Sequence, residues 1–515
     1  MQLVIPMSGL GTRFIQKGFA LPKPLIPVAG RPMIQHVIDM YSGIEQVLFI
    51  VNEEHVQNPN FEMLKTLRSI CPSAEIAVIE EHKLGPSWAV LQASSFINPD
   101  QPVIVNYCDF SCNWNFQNFK NQLNSGVDGL IATYSGFHPH MLRSNKFAYL
   151  KLNENGNLVE IQEKQPFTNS PMNEPASSGT YGFKSGNLLI EAINTQVNNN
   201  DSFNKEFYTS LTYKNMIRKN LVIKTFQINQ FFQFGTPEDL EDFEHQYSFF
   251  HFKKNPNTMN PRVERIEMLA AGAGKRFFDA GYTTEKPFLS LGESYLCVEA
   301  MNALASHESK KSLLLQKNVE ISSGVLKALE SNHISIKRVD EITCGQAASA
   351  LVAISTIEES GNCLIATCDS LIYIDPNEDL SQLSSKTLGV WATLPSEFAL
   401  SNPTQFGWIA IDTSGRITEV WVKETPPVPH DCLVITGTFI FGDLPEAKDL
   451  ISNFLENANK VNDEFYLDSV LQFALDLDWN VVAFKPQHFV SLGTPMELKT
   501  YEYWSEVFEK KKYFE

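Results

Sequence analysis

The amino-acid sequence predicts an α/β protein made of two tandem Rossmann-like domains, each built on a mostly parallel, mixed sheet. Three observations lead there. A long-period duplication runs through the chain. Short apolar runs alternate with amphipathic segments in both copies, the pattern of buried parallel strands joined by helices. A glycine-rich turn follows the first apolar run of each copy.

The duplication is read most easily at its start. Met7-Ser8-Gly9-Leu10-Gly11-Thr12-Arg13-Phe14, with Lys23-Pro24 beyond it, returns as Ala270-Ala271-Gly272-Ala273-Gly274-Lys275-Arg276-Phe277, with Lys286-Pro287 beyond it. Later landmarks recur in the same order: Gly85 as Gly345, Asp109 as Asp369, Lys164 as Lys423, Gly179-Thr180 as Gly437-Thr438, and Gly235 as Gly493. The offset is 263 residues at Gly9 and Gly272 and 258 at Gly235 and Gly493, so a few loop deletions align one half on the other. A solenoid repeat has a period of roughly 20 to 50 residues, so this is duplication of a whole domain.

In chain order, Leu3 to Met7 reads as a first buried strand, Gln46 to Val51 as a second and Pro102 to Asn106 as a third. Ser312 to Leu315 and Cys363 to Thr367 repeat the later two in the second half. Ligands of such sheets sit at the carboxyl ends of the strands, where the glycine loops and both aspartates fall. Lys254 to Pro261 carries two prolines and three asparagines without apolar periodicity, as a linker does. The expected organisation is therefore a first domain over 1–254, a linker over 255–262 and a divergent second copy over 263–515.

A chain of 515 residues with 43% hydrophobic and 19% charged residues can fill two full cores. Its net charge of −18 repels nucleic acid and anionic membrane at a distance, so anionic small substrates need local positive groups. Eight cysteines without Cys-x-x-Cys spacing or an accompanying histidine cluster favour neither a zinc site nor a disulfide framework, and a reduced, cytoplasmic setting is expected. No segment approaches eighteen consecutive apolar residues, so membrane insertion is not expected. Glu509 to Lys512 reads as a solvated helix end, and His138 and His140 as loop residues rather than metal ligands.

Ser8, Gly9, Gly11 and Thr12, with Gly272 and Gly274 in the second half, form loops whose backbone N–H groups can approach a phosphate closely. Glycine pairs also make plain tight turns. Neither loop is a Walker motif, and neither has the third glycine of a dinucleotide fingerprint. Arg13 and Lys23, repeated as Arg276 and Lys286 at the same ten-residue spacing, strengthen the phosphate assignment: a guanidinium clamps two oxygens, and an ammonium follows developing charge. Asp109 and Asp369 each follow a buried run and a cysteine, a costly place for an unpaired carboxylate unless it binds Mg²⁺ with a nucleoside triphosphate. A helix N-cap is the alternative.

These residues resemble the sugar-1-phosphate nucleotidylyltransferases, typified by glucose-1-phosphate thymidylyltransferase and related cytidylyltransferases. The resemblance rests on Gly-x-Gly-Thr-Arg-Phe, on Pro22 to Val28 and on Gly30-Arg31-Pro32-Met33-Ile34. It covers nearly all of 1–245 and, more loosely, 264–500, and it implies a GT-A-like nucleotidyltransferase fold. It further implies that Arg13 holds the β- and γ-phosphates and Lys23 the α-phosphate and leaving pyrophosphate. Gly85, and Gly345 by repetition, would contact the base, and Asp109 and Asp369 would bind the metal. Glu163 would hold acceptor hydroxyls and Lys164, with Lys423, the acceptor phosphate; Gly179-Thr180 and Gly437-Thr438 would line the sugar pocket.

The sequence departs from that family at three places. Gln233 and Ser491 stand where many members carry a second metal-binding aspartate. Val422 replaces the counterpart of Glu163, and the second half lacks Pro-Val-x-Gly-Arg-Pro. Phe207-Tyr208 and Phe465-Tyr466 read as packing elements on the acceptor side. The expected reaction is nucleotidyl transfer from a nucleoside triphosphate to a sugar-1-phosphate or similar phosphate monoester, in one or both halves. Phosphocholine is an alternative acceptor, and a non-catalytic nucleotide- or sugar-binding role for one half is the alternative function.

Overall fold

The computed structural model describes residues 1–254, 263–306 and 308–510. The expected linker 255–262 lies outside the described residues, as do Lys511 and Lys512 of the C-terminal basic run. Contacts divide the chain into a unit over Met1–His251 and a unit beginning at Phe252. No described helix is long and apolar enough to cross a membrane.

The first unit is organised around Gln2–Pro6, a strand buried along its whole length. Leu3 and Ile5 enter one apolar core and Val4 the other, so alternate side chains of one strand feed both faces of the sheet. The strands run, from one edge, Leu158–Glu163, Ala148–Leu152, Ala176–Phe183, Val103–Asn106, Gln2–Pro6, Gln46–Asn52 and Glu75–Ile79. Gly129–Tyr134 and Ile223–Gln227 join at Ala176–Phe183 to complete nine. Val103–Asn106 through Glu75–Ile79 pair in parallel, whereas every neighbour of Ala176–Phe183 is antiparallel to it. The sheets are mixed as expected, with antiparallel pairing concentrated on one side.

The second unit repeats this order: Ile334–Val339, Lys310–Gln316, Arg265–Leu269 and Cys363–Thr367 in parallel, then Leu433–Phe441 and Thr387–Thr393 antiparallel, then Asn480–Phe484. All five strands expected from apolar runs are present within a few residues of their predicted ends.

Two local devices bring the landmarks of each half together. In Ala176–Phe183 the register shifts between Ser177 and Tyr181 around Gly179, whose φ is +100°. A Cβ there would stand 3.0 Å from the Phe110 ring, so glycine is required twice over. Gly437 repeats the positive φ. The second device is a two-stranded ribbon, Phe110–Asn113 against Gln230–Gln233, which starts just after Asp109 and ends just before Gly235. Ser370–Tyr373 against His488–Ser491 does the same for Asp369 and Gly493.

Candidate active site

Each glycine loop leaves the central strand and caps a short helix, Thr12–Gln16 in the first half and Lys275–Asp279 in the second, with Gly11 and Gly274 in the left-handed region at the N-cap. Gly9, Thr12 and Arg13 are exposed, as are Gly272 and Arg276. Among the described residues neither arginine makes an ion pair, so both guanidiniums remain open to an anion.

The predicted cation and carboxylate meet in both halves. Lys23 Nζ donates to Asp109 Oδ2 at 2.6 Å and to the Gly235 carbonyl at 3.0 Å; Lys286 Nζ donates to Asp369 Oδ2 at 2.9 Å. The ribbon explains the meeting, because Phe234 N–H donates to the Asp109 carbonyl and Leu492 N–H to that of Asp369. Burial disfavours the charged Asp369 carboxylate, but the Lys286 ammonium and the Thr367 hydroxyl, 2.5 Å away, outweigh it and hold the pKa below the usual range. Gln233 sits beside Asp109, its amide 2.5 Å from where a Cβ on Gly235 would stand. Among the described residues no group of three or more His, Cys, Asp or Glu is placed to hold a metal by itself. A single carboxylate per half still suits Mg²⁺, which takes one or two carboxylates and draws its other ligands from water and substrate phosphates.

The Gly85 turn is closed by the motif that the sequence assigned to packing. Phe207 N–H donates to the Leu84 carbonyl and Ser87 N–H to that of Phe207, and a Cβ on Gly85 would lie 2.8 Å from Phe207 N. Gly345 is held against Phe465 in the same way. Tyr208 does more than pack: its hydroxyl donates to Glu206 and accepts from Lys164, whose ammonium lies 4.4 Å from the ring centroid. Burial pushes the Tyr208 hydroxyl pKa up, with Glu206 adding to it and Arg13 opposing, which places the arginine within electrostatic reach of the lysine's partner. Lys164 and Lys423 both adopt φ of 58°, a strained setting for a non-glycine residue that recurs at the same place in each half.

Glu163 accepts from Ser210 Oγ at 2.5 Å, and burial raises its pKa, with that hydroxyl and Lys164 opposing. In the second half Lys423 Nζ donates instead to the Gln405 carbonyl at 2.6 Å and lies 5.2 Å from the Tyr466 ring centroid. Its pKa is lowered by burial, and by Arg276, against Asp468 and Glu464.

Thr180 is fully buried with its hydroxyl on Asn106. Thr438 is buried too, but Ala366 replaces Asn106, and its hydroxyl has no hydrogen-bond partner among the described residues. Each threonine as it stands shapes the sheet beneath the bulge rather than a surface. His138 and His140 lie in a loop and the short turn Pro139–Leu142, as expected, but buried in an aromatic cluster with Tyr134, Phe147 and Phe231. Burial lowers the His138 pKa to about 4. The hairpin at Pro27–Val28 and Arg31–Pro32 persists in the second half as Ser290–Leu291 and Ser294–Tyr295, although the residues differ.

One residue escaped the sequence altogether. His82 Nδ1 accepts from Leu84 N–H at 3.2 Å, which leaves the proton on Nε2, 3.4 Å from Ser8 Oγ. It thereby ties the glycine loop to the Gly85 turn. Ala271 and Ile342 stand in their places in the second half, so no spacing rule or repeat could have flagged the pair.

Comparison with known proteins agrees with the duplication of the chain. A family model described as nucleotidyl transferase matches residues 3–248 and again 268–515. Over 244 residues, 47% of the chain, the sequence is 24% identical to the "Bifunctional protein GlmU" of Methanococcus aeolicus, covering 53% of that protein. Over 122 residues, 20% of the chain, it is 34% identical to "UTP--glucose-1-phosphate uridylyltransferase YngB" of Bacillus subtilis, covering 41% of it. The matches thus span about half or less of these curated relatives. Among solved structures, the inositol-1-phosphate CTP transferase from T. maritima aligns with 48% of this chain and 98% of its own, at 18% identity and a TM-score of 0.38.

Proposed function

The chain belongs to the nucleotidyl transferase family, and on that premise we propose that each half transfers a nucleotidyl group from a nucleoside triphosphate to a sugar-1-phosphate or similar phosphate monoester, releasing pyrophosphate. The observation that carries this is the lysine–aspartate pair, closed at 2.6 Å in one half and 2.9 Å in the other, beside a glycine loop and an exposed arginine.

The reaction needs no protein nucleophile. An oxygen of the acceptor phosphate attacks the α-phosphorus in line, the bond to the β-phosphate oxygen breaks, and the pyrophosphate leaves with the electron pair. Ser8, Gly9, Gly11 and Thr12 cradle the triphosphate with their amides, as the loop of Gly272 and Gly274 does in the second half. Arg13 and Arg276 grip the outer phosphates. Lys23 and Lys286 stabilise charge on the α-phosphate and leaving group. Gly85 and Gly345 keep a flat turn against which the base lies. Glu163 orients acceptor hydroxyls, Lys164 and Lys423 hold the acceptor phosphate, and Gly179 and Gly437 shape the pocket floor. Mg²⁺ held by Asp109 or Asp369 would neutralise phosphate charge. The eight free cysteines support a reducing, cytoplasmic setting.

A second reading, in which the second half binds a nucleotide or sugar nucleotide without turnover, is favoured by one observation: the Ser8–His82 tie is absent there. Silencing each half in turn decides. Lys23→Ala and Lys286→Ala should each remove roughly 10²- to 10³-fold of the turnover of its own half while the melting curve keeps its shape. Pyrophosphate release that survives the double substitution at wild-type rate would refute the mechanism; release abolished by Lys23→Ala alone would favour the second reading.

A further inference from the structure

The second half lost the counterpart of Glu163, but not the carboxylate. Ser210 lies in the first turn of the helix Thr209–Arg218, which packs on the strand ending in Glu163 and gives that carboxylate its hydrogen bond. Its counterpart in the helix Leu467–Asp476, packed likewise on the strand Ile417–Val422, is Asp468. The acid and its small neighbour have changed places: glutamate on the strand and serine on the helix in one half, valine on the strand and aspartate on the helix in the other.

The surroundings changed with them. Ala148 pairs with Glu163, and Gly407 occupies the matching register position opposite Val422. Asp468 Oδ2 uses the space that this glycine leaves, for a Cβ on Gly407 would stand 2.1 Å from it. Asp468 is 9% exposed, and it acts on Lys423, the residue held in the same strained conformation as Lys164. A first-turn aspartate is often no more than a favourable partner for a helix N-terminus, which lowers its pKa. Here burial outweighs both the Lys423 ammonium and the backbone N–H of Asp468 itself and raises the pKa to about 6.

We propose that Asp468 is the acceptor-binding carboxylate of the second half, accepting hydrogen bonds from hydroxyl groups of a phosphate monoester whose phosphate Lys423 holds, with Gly407 as the residue that makes room for it. The assignment rests on the nucleotidyl-transfer function proposed above. It means that the acceptor of the second half is a hydroxyl-bearing phosphate ester approached from the helix side of the pocket, so the two halves differ in which hydroxyls they read.

The test uses the full chain with Arg13→Ala and Lys23→Ala in the first half, and titrates the diphosphates of uridine, cytidine, thymidine, guanosine and adenosine, their glucose esters, and CDP-choline. The gain in affinity of a glucose ester over its parent diphosphate isolates the acceptor pocket. Asp468→Asn should cut that gain about tenfold or more while binding of the diphosphate stays unchanged. Gly407→Ala should cut it as well, by displacing the carboxylate without removing it, and Val422→Glu with Asp468→Ser should recover most of it. Unchanged gain in Asp468→Asn overturns the assignment and leaves the nucleotide site standing. Tighter binding of CDP-choline than of CDP-glucose overturns the choice of hydroxyls. Failure of every diphosphate to bind overturns both this proposal and the function assigned to the second half.

Discussion

At the scale of single residues, the doubled sequence made the cations and the carboxylates of Asp109 and Asp369 that meet them legible, because each recurs at a kept spacing. Partners that the fold alone brings together were not: His82 with Ser8, Ser210 with Glu163 and Tyr208 with Lys164 lie far apart in sequence or change identity between halves. Asp468 illustrates the energetic side. Its pKa is raised from the usual aspartate value to about 6, so the folded state binds its proton more tightly than the unfolded chain does. The associated stability is present in acid and is lost as pH rises through about 6. Asp468→Asn is therefore expected to stabilise the second unit by about 3 kcal/mol at pH 8, a gain that fades below about pH 4. Paired thermal melts across that range measure it, and a gain that grows toward acid would contradict the burial of the carboxylate.

At the scale of elements, the apolar runs located the central strands within a few residues, since strands buried on both faces leave a continuous hydrophobic signal. The direction of the outer strands was less visible, because pairing is decided by contacts across the fold and the bulges at Gly179 and Gly437 interrupt any simple alternation. The turns at Gly85 and Gly345 are the elements most exposed to a single change. Each sits at positive φ, and a Cβ there would stand 2.8 Å from Phe207 N or 2.5 Å from Phe465 N. Gly85→Ala and Gly345→Ala should each cost about 1 to 3 kcal/mol in urea unfolding and weaken nucleotide binding only in their own half. An unperturbed midpoint in either would show that the turn yields without strain.

At the scale of the whole molecule, charge opposes the proposed substrates. A net −18 repels a triphosphate until the glycine loop and its cations take over at short range. Raising ionic strength from about 0.01 M to 0.15 M shortens the screening length from roughly 30 Å to 8 Å. Stopped-flow association of a nucleoside triphosphate should therefore quicken with salt over that range, while dissociation quickens too as the local ion pairs weaken. Association that slows with salt would mean that the local cations dominate the approach as well as the bound state.

The contact between Asp468 and Gly407 also ties the two positions to each other. A methyl group at 407 would stand 2.1 Å from Asp468 Oδ2, so the carboxylate has to swing aside to admit it. While the aspartate stays, alanine at 407 costs a displaced side chain, and with a serine at 468 that cost falls away. The two positions are therefore coupled through one oxygen atom, and a change at either is felt at the other.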